Sequence, residues 1–125
     1  MSKKINVLFF EVDKLPRLIE IDNTLRAMQE LVGGYIEVAR KFDDGAVVVC
    51  NEEGIIRHLK LNRCLDKDQK DMSYYDRLQS CIFGNFFICE ENGVDFDSLG
   101  LEKVSKYEVK YFYPIRSEEW NTQNS

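Results

Sequence analysis

ELVGGYIEVARKFDDGAVVVCNEEG, residues 30–54, holds a Gly pair, two runs of strand-forming residues and two Gly-closed turns. Either its glycines cradle a phosphate or they punctuate the chain, and their position separates the two. A phosphate cradle needs glycines that open onto a helix N-terminus, where free N–H groups and the helix dipole meet the anion. Upstream, Asp22, Asn23 and Thr24 supply side-chain oxygens for an N-cap, and Leu25, Met28, Leu31 and Val32 recur at the spacing of one helix face. Gly33 and Gly34 therefore come after a helix and read as its stop, one of them left-handed. Tyr35–Phe42 and Ala46–Cys50 then read as strands joined at Asp43-Asp44-Gly45. Asn51-Glu52-Glu53-Gly54 turns the chain into a further strand, Ile55–Leu59.

Working outward, KINVLFFEV (residues 4–12) puts Ile5, Val7 and Phe9 on one face and Leu8 and Phe10 on the other, a strand with both faces at least partly covered. Asp13 to Pro16 turns, and RLIEI (17–21) alternates as its hairpin partner. Residues 60–79 are a polar excursion, and CIFGNFFIC (81–89), interrupted only by Gly84 and Asn85, reads as a central strand. GVDFDSLG opens a last helix, capped by Asp95, Asp97 or Ser98, carrying Leu101, Val104, Tyr107 or Glu108, and Tyr111 at helical spacing and stopped by Pro114. The alternation of Tyr107, Val109, Tyr111 and Tyr113 permits a strand there instead. The fold expected is a single α+β domain over residues 1–116 with a loose tail, 117–125. Its mainly antiparallel sheet has a ββαβββ start, β-grasp-like, is covered on one face, and is followed by a C-terminal helix.

A chain of 125 residues with 44% hydrophobic and 12% aromatic content can bury one real core. Residues 61–98 carry 8 acids against 4 bases and hold nearly all of the net charge of −5. That balance argues against direct nucleic-acid binding, which draws its affinity from clustered Lys and Arg. The start, MSKKINVLFFEV, is broken by Glu11 and Asp13 and lacks a cleavage site, so neither a signal peptide nor a membrane span is expected. The location expected is cytoplasmic, with Cys50, Cys64, Cys81 and Cys89 free and mostly buried. Their spacing, with His58 the one histidine, does not make a zinc site, and no metal or cofactor is expected.

The acids occur as adjacent pairs, Asp43-Asp44, Glu52-Glu53 and Glu90-Glu91, whose side chains diverge on a strand, whereas acid/base or metal chemistry needs carboxylates that converge. Solvated turn acids are the plainer reading, although the Glu52-Glu53 turn beside Asn51 faces either solvent or a partner. Asn51, Asn62 and Asn85 interrupt apolar context and need hydrogen-bond partners if buried; turn bonding accounts for them most simply and a ligand contact is the alternative. A Cys–His dyad with His58 lacks any visibly basic setting to activate the thiol. Tyr111 and Tyr113, in the aromatic stretch KYEVKYFYPIRSEEW, are candidate interface anchors.

EIDNTLRAMQELVGGYIEV, DDGAVVVCNEEG, LNRCL, IFGNFFIC and GVDFDSLG, in that order, resemble a family of small uncharacterised proteins. The family is a domain of unknown function carried by bacteriophages, plasmids and conjugative elements. The matching positions are Gln29, Gly33, Gly34, Glu37, Asn51, Gly54, Asn62, Arg63, Gly84, Asp95 and Phe96, with Met28-Gln29 where the family usually has Leu-Gln. The stretch KDQKDMSYYDRLQ departs from the family's shorter linker. The resemblance supplies no catalytic motif. It implies a cytosolic accessory protein of a mobile element. Small proteins of such elements often counter host defence, and the −4 of residues 61–98 points to a non-enzymatic protein that antagonises host defence by binding a protein component through an acidic surface, as anti-CRISPR inhibitors do. The alternative is a homo-oligomer that sequesters a nucleotide second messenger. Binding residues under either reading are Asn51, Glu52, Glu53, Asn62, Arg63, Asn85, Tyr111 and Tyr113.

Overall fold

The computed structural model describes residues 3–64, 73, 80–109 and 113–114. β1 (Lys4–Phe10) and β2 (Arg17–Asp22) form an antiparallel hairpin in register from Lys4 opposite Asp22 to Phe9 opposite Arg17. α1 (Leu25–Val32) starts at Thr24, whose Oγ1 accepts the Ala27 N–H at 3.1 Å. It stops at Gly33, whose φ of 80° turns the chain into the left-handed region while its N–H donates to the Gln29 carbonyl at 2.8 Å. β3 (Ile36–Lys41) and β4 (Ala46–Asn51) follow as a hairpin closed at Gly45, with the register shifting between Val38 and Arg40. The stop-and-hairpin reading of residues 30–51 holds in the structure.

β5 (Leu61–Cys64), β6 (Cys81–Phe83), β7 (Phe86–Glu91), β8 (Phe96–Asp97), α2 (Leu101–Val109) and β9 (Tyr113–Pro114) complete the described elements. The main sheet runs β2-β1-β7-β4-β3, with β8 beside the far end of β7, and a small second sheet runs β6-β5-β9. Every described pairing is antiparallel. The result is a mostly antiparallel α+β architecture with two helices.

Alternation along β1 divides the core in two. Ile5, Val7 and Phe9 join Val47, Val49, Phe87 and Cys89 beneath Met28 and Val32 of α1. Leu8 and Phe10 join Ala46, Val48, Cys50, Phe86 and Ile88 beneath Tyr107 of α2 and Ile82 of β6. The main sheet is therefore covered on both faces, not one. All six residues of β4 are buried. A strand with no polar alternation has no face to offer water.

Three further expectations are corrected. Residues 55–59 are not a strand. Arg57 N–H donates to Glu53 O at 2.8 Å, His58 N–H to Ile55 O at 3.1 Å and Leu59 N–H to Gly54 O at 3.0 Å, so the segment satisfies its backbone within a turn and leaves Ile55 and Ile56 outside. CIFGNFFIC is not one strand: Gly84-Asn85 breaks it into β6 and β7, which lie in different sheets. Asp95, Asp97 and Ser98 do not cap the helix but steer the chain through β8, Ser98 Oγ accepting the Asn6 N–H at 2.9 Å.

The cysteines divide. Cys64 and Cys81 stand opposite each other in β5 and β6 and are joined as a disulfide, contrary to the expectation of four free thiols. Cys50 and Cys89 are free and buried. Burial pushes both thiols up to about 12, helped by Glu37 at Cys50 and by Glu91 and Glu90 at Cys89. Among the described residues no helix is long and apolar enough to cross a membrane. The expected tail, 117–125, and most of the 60–79 excursion lie outside the described residues.

Candidate functional site

Five of the eight expected binding residues, Asn51, Glu53, Asn62, Arg63 and Asn85, can be followed to their side-chain partners. Asn62, 3% exposed, donates from Nδ2 to the carbonyls of Phe10 and Gly84, both at 2.9 Å, and accepts Arg63 Nη1 on Oδ1 at 2.8 Å. Arg63 also donates to Asn62 O and, from Nη2 at 2.7 Å, to Lys14 O, with its guanidinium 5.6 Å from the Phe10 ring centroid. Burial lowers its pKa, and the Asp13 carboxylate opposes the shift. Asn85 Oδ1 accepts the Val12 N–H at 2.9 Å. These three residues thus form one knot that ties the β1–β2 turn to β5 and to the Gly84-Asn85 turn. Their partners are mainly the protein's own backbone, which is the simpler of the two readings made from sequence.

Asn51 does comparable work at the other end of the sheet. Its Nδ2 donates to Val32 O at 3.2 Å and its Oδ1 accepts the Glu53 N–H at 2.8 Å, joining the end of α1 to the turn after β4. Glu53 pairs with Arg57 at 3.5 Å. Glu52 is exposed, and its N–H donates to Tyr35 O at 2.8 Å. Tyr113 takes part in β9, its backbone opposite Cys64, and Tyr111 lies outside the described residues.

Asn51 and Glu52 do border a cavity. A groove of about 480 Å³ lies between β3 (Glu37–Arg40) on one side and the 54–56 turn with β6 on the other, with Cys50 and Ile82 also in its lining. It opens where the cover over the main sheet ends, since β6 forms one wall and no α2 residue lines it. Gly54 allows the close fit of the turn on β6, because a Cβ there would lie 2.7 Å from the Phe83 carbonyl oxygen. Ile55 and Ile56 stand 48% and 74% exposed at the rim.

Strand alternation arranges the groove's charges. Glu37 lies opposite Cys50, and Arg40 lies opposite Val48; both partners belong to the core layer on the α2 side. The shift between Val38 and Arg40 is what brings Arg40 to the same face as Glu37. Glu52, in the turn just after β4, also lines the groove. The lining thus has two carboxylates at the Asn51 end and a guanidinium toward the hairpin end. Glu37, Arg40, Ile55, Ile56 and Phe83 were not singled out from sequence as binding residues. The adjacent Ile55-Ile56 pair just after a Gly-closed turn was the signal that could have found the rim.

Cys50 in the lining, with its thiol near 12, is protonated at neutral pH and a poor nucleophile. Among the described residues no group of three or more His, Cys, Asp or Glu could hold a metal ion. A second cavity, of about 430 Å³, borders Phe42, Asp43, Asp44, Lys106 and Tyr107, where Asp44 fastens α2 to the sheet.

No curated protein and no solved structure matches the chain. Residues 5–111 match the family described as domain of unknown function (DUF3846), and the chain belongs to that family.

Proposed function

We propose that the chain is a non-enzymatic binding protein that holds a protein component of a host defence system in the groove beside β3 and thereby antagonises it. The observation that carries the binding reading is the pair Ile55 and Ile56, held in solvent at the rim of an open groove. Burying such side chains under a partner gains roughly 25 cal/mol per Å² of apolar surface. Their backbone is already fixed by the turn, so little ordering opposes the gain. The setting, an accessory protein of a phage or mobile element acting in the bacterial cytoplasm, rests on the sequence resemblance.

The acidic-surface version of the reading finds less support. Of the acids of residues 61–98 that are described, Glu90, Glu91 and Asp97 are paired with Lys103, Lys41 and Lys3, and Asp95 accepts from Asn23. A nucleotide sponge is disfavoured at the groove, where Glu37 and Glu52 repel phosphate. A β-grasp-like arrangement belongs to the same proposal, supported by the helix after the first hairpin and by β1 lying beside a later strand.

The test is efficiency of plating on bacteria that carry a defence system and express the chain. Wild type should raise the phage titre, and Ile55→Asp with Ile56→Asp should not, while both proteins melt at the same temperature. Equal protection by the double variant, or no effect of wild type across a panel of defence systems, refutes the reading.

A further inference from the structure

The groove's charged side chains stand apart from their neighbours. Lys41 holds Glu91 at 3.7 Å and Glu53 holds Arg57 at 3.5 Å, yet Glu37, Arg40 and Glu52 enter no ion pair among the described residues. The polar contact of the Glu37 side chain is the Cys50 thiol, which donates to Oε1 at 3.8 Å. Charges left unpaired around an apolar floor are those a partner can pair most cheaply, since no internal ion pair has to be broken first.

We infer that the groove takes one extended segment of a protein partner, with a Lys or Arg at one end, an apolar side chain in the middle and an acidic group at the other. The basic group meets Glu37 and Glu52, the apolar one packs among Ile55, Ile56 and Phe83, and the acidic one meets Arg40. This deepens the proposed function and rests on it. The order follows from the β3–β4 register: Glu37 lies opposite Cys50, beside the turn that carries Glu52, and the register shift sends Arg40, opposite Val48, to the other end of the same face. An open groove flanked by a strand suits an extended chain better than a compact ligand, which needs most of its surface enclosed. The two carboxylates disfavour a phosphate backbone as occupant. They favour a basic protein surface, the kind that itself handles nucleic acid.

The test is fluorescence anisotropy of the whole chain with labelled nine-residue peptides whose core is Lys-Val-Val-Asp. Comparison peptides carry Glu for Lys, or Ala for both Val residues. Wild type should bind the first peptide in a salt-dependent way and the comparisons roughly tenfold more weakly. Glu37→Arg with Glu52→Arg should reverse the preference between Lys and Glu peptides. Glu20→Arg with Glu30→Arg, exposed on β2 and α1 outside the groove, makes the same change of net charge and should leave the preference as in wild type. The inference is overturned if no peptide saturates a chain that melts cooperatively, or if the double variant binds all peptides as wild type does. It is also overturned if sedimentation shows a dimer that Glu37→Arg with Glu52→Arg dissociates, because the occupant is then a second copy. Loss of plating with Ile55→Asp and Ile56→Asp, without any dependence on the charges, would leave the binding function standing and remove this inference alone.

Discussion

Asp44 is the point at which α2 is fastened to the sheet, and replacing it with Asn tests how that fastening works. Its Oδ2 accepts the Tyr107 hydroxyl at 2.7 Å and Lys106 Nζ at 2.9 Å, its Oδ1 accepts the Ala46 N–H at 3.0 Å, and its side chain is 22% exposed. Burial alone would raise its pKa. The hydrogen bonds from Tyr107, Ala46 and Lys106 outweigh burial and hold it at about 2, below its ordinary 3.8. The folded state therefore favours the carboxylate, and the contribution is fully present above pH 4. It is lost as the pH falls from there through about 2. That gap corresponds to about 2 kcal/mol. Asp44→Asn keeps an acceptor for Tyr107 and removes the charge, so it should cost about 2 kcal/mol in urea unfolding followed by circular dichroism at pH 7. The difference from wild type should close between pH 4 and pH 2. A difference that stays constant down to pH 2.5 would show that shape, not charge, is responsible. No difference at pH 7 would show that Asp44 is solvated rather than engaged.

Two other perturbations probe the parts that hold the second cover in place. Unfolded in denaturant without reductant, the oxidised chain should titrate two thiols, Cys50 and Cys89, against four after reduction. Closing a loop with a sequence separation of 17 stabilises by about 3 kcal/mol, so a dithiol reductant should lower the urea midpoint, and an unmoved midpoint counts against the cross-link. Asn62→Ala leaves the buried carbonyls of Phe10 and Gly84 without their donor and should cost about 2–3 kcal/mol in the same assay. A cost near zero would mean that water reaches that site.

Much of the main sheet was legible because its signals are local. Gly33 after the periodic run of α1, Gly45 between two strands and the two-faced alternation of β1 each depend on residues within a few positions of one another. The second face was missed although the sequence carried the clue, since AVVVCN has no alternation and so needs two covers. Gly84-Asn85 was overridden by its apolar flanks, and those flanks turned out to belong to two different sheets. The Cys64–Cys81 pairing exists only once β5 and β6 are side by side, and no spacing announces it. At the site, the asparagines were correctly read as polar groups in need of partners, and Asn51 led to the groove. The face on which Arg40 lies depends on a register shift that no local pattern shows.

The groove follows from how the two covers are pinned. Lys103 donates to Glu90 and to the Asp44 carbonyl, both at 2.7 Å, and with Lys106 and Tyr107 it fixes α2 over the Phe42–Ala46 end of the sheet. The knot of Asn62, Arg63 and Asn85 fixes the small sheet over the end where Phe10 stacks on Phe86 at 4.5 Å. Among the described residues neither anchor includes a residue of β3, and Cys50 and Ile82 line a gap bordered by β3, the 54–56 turn and β6. Moving either cover to fill the gap would cost several of these hydrogen bonds at once. The two sets of anchors therefore serve the groove as well as the fold. Loosening the small sheet by Asn62→Ala should weaken peptide binding at the β6 wall more than loosening α2 by Asp44→Asn does, since β6 lines the groove and α2 does not. The reverse order in the anisotropy assay would show that α2, not β6, sets the shape of the site.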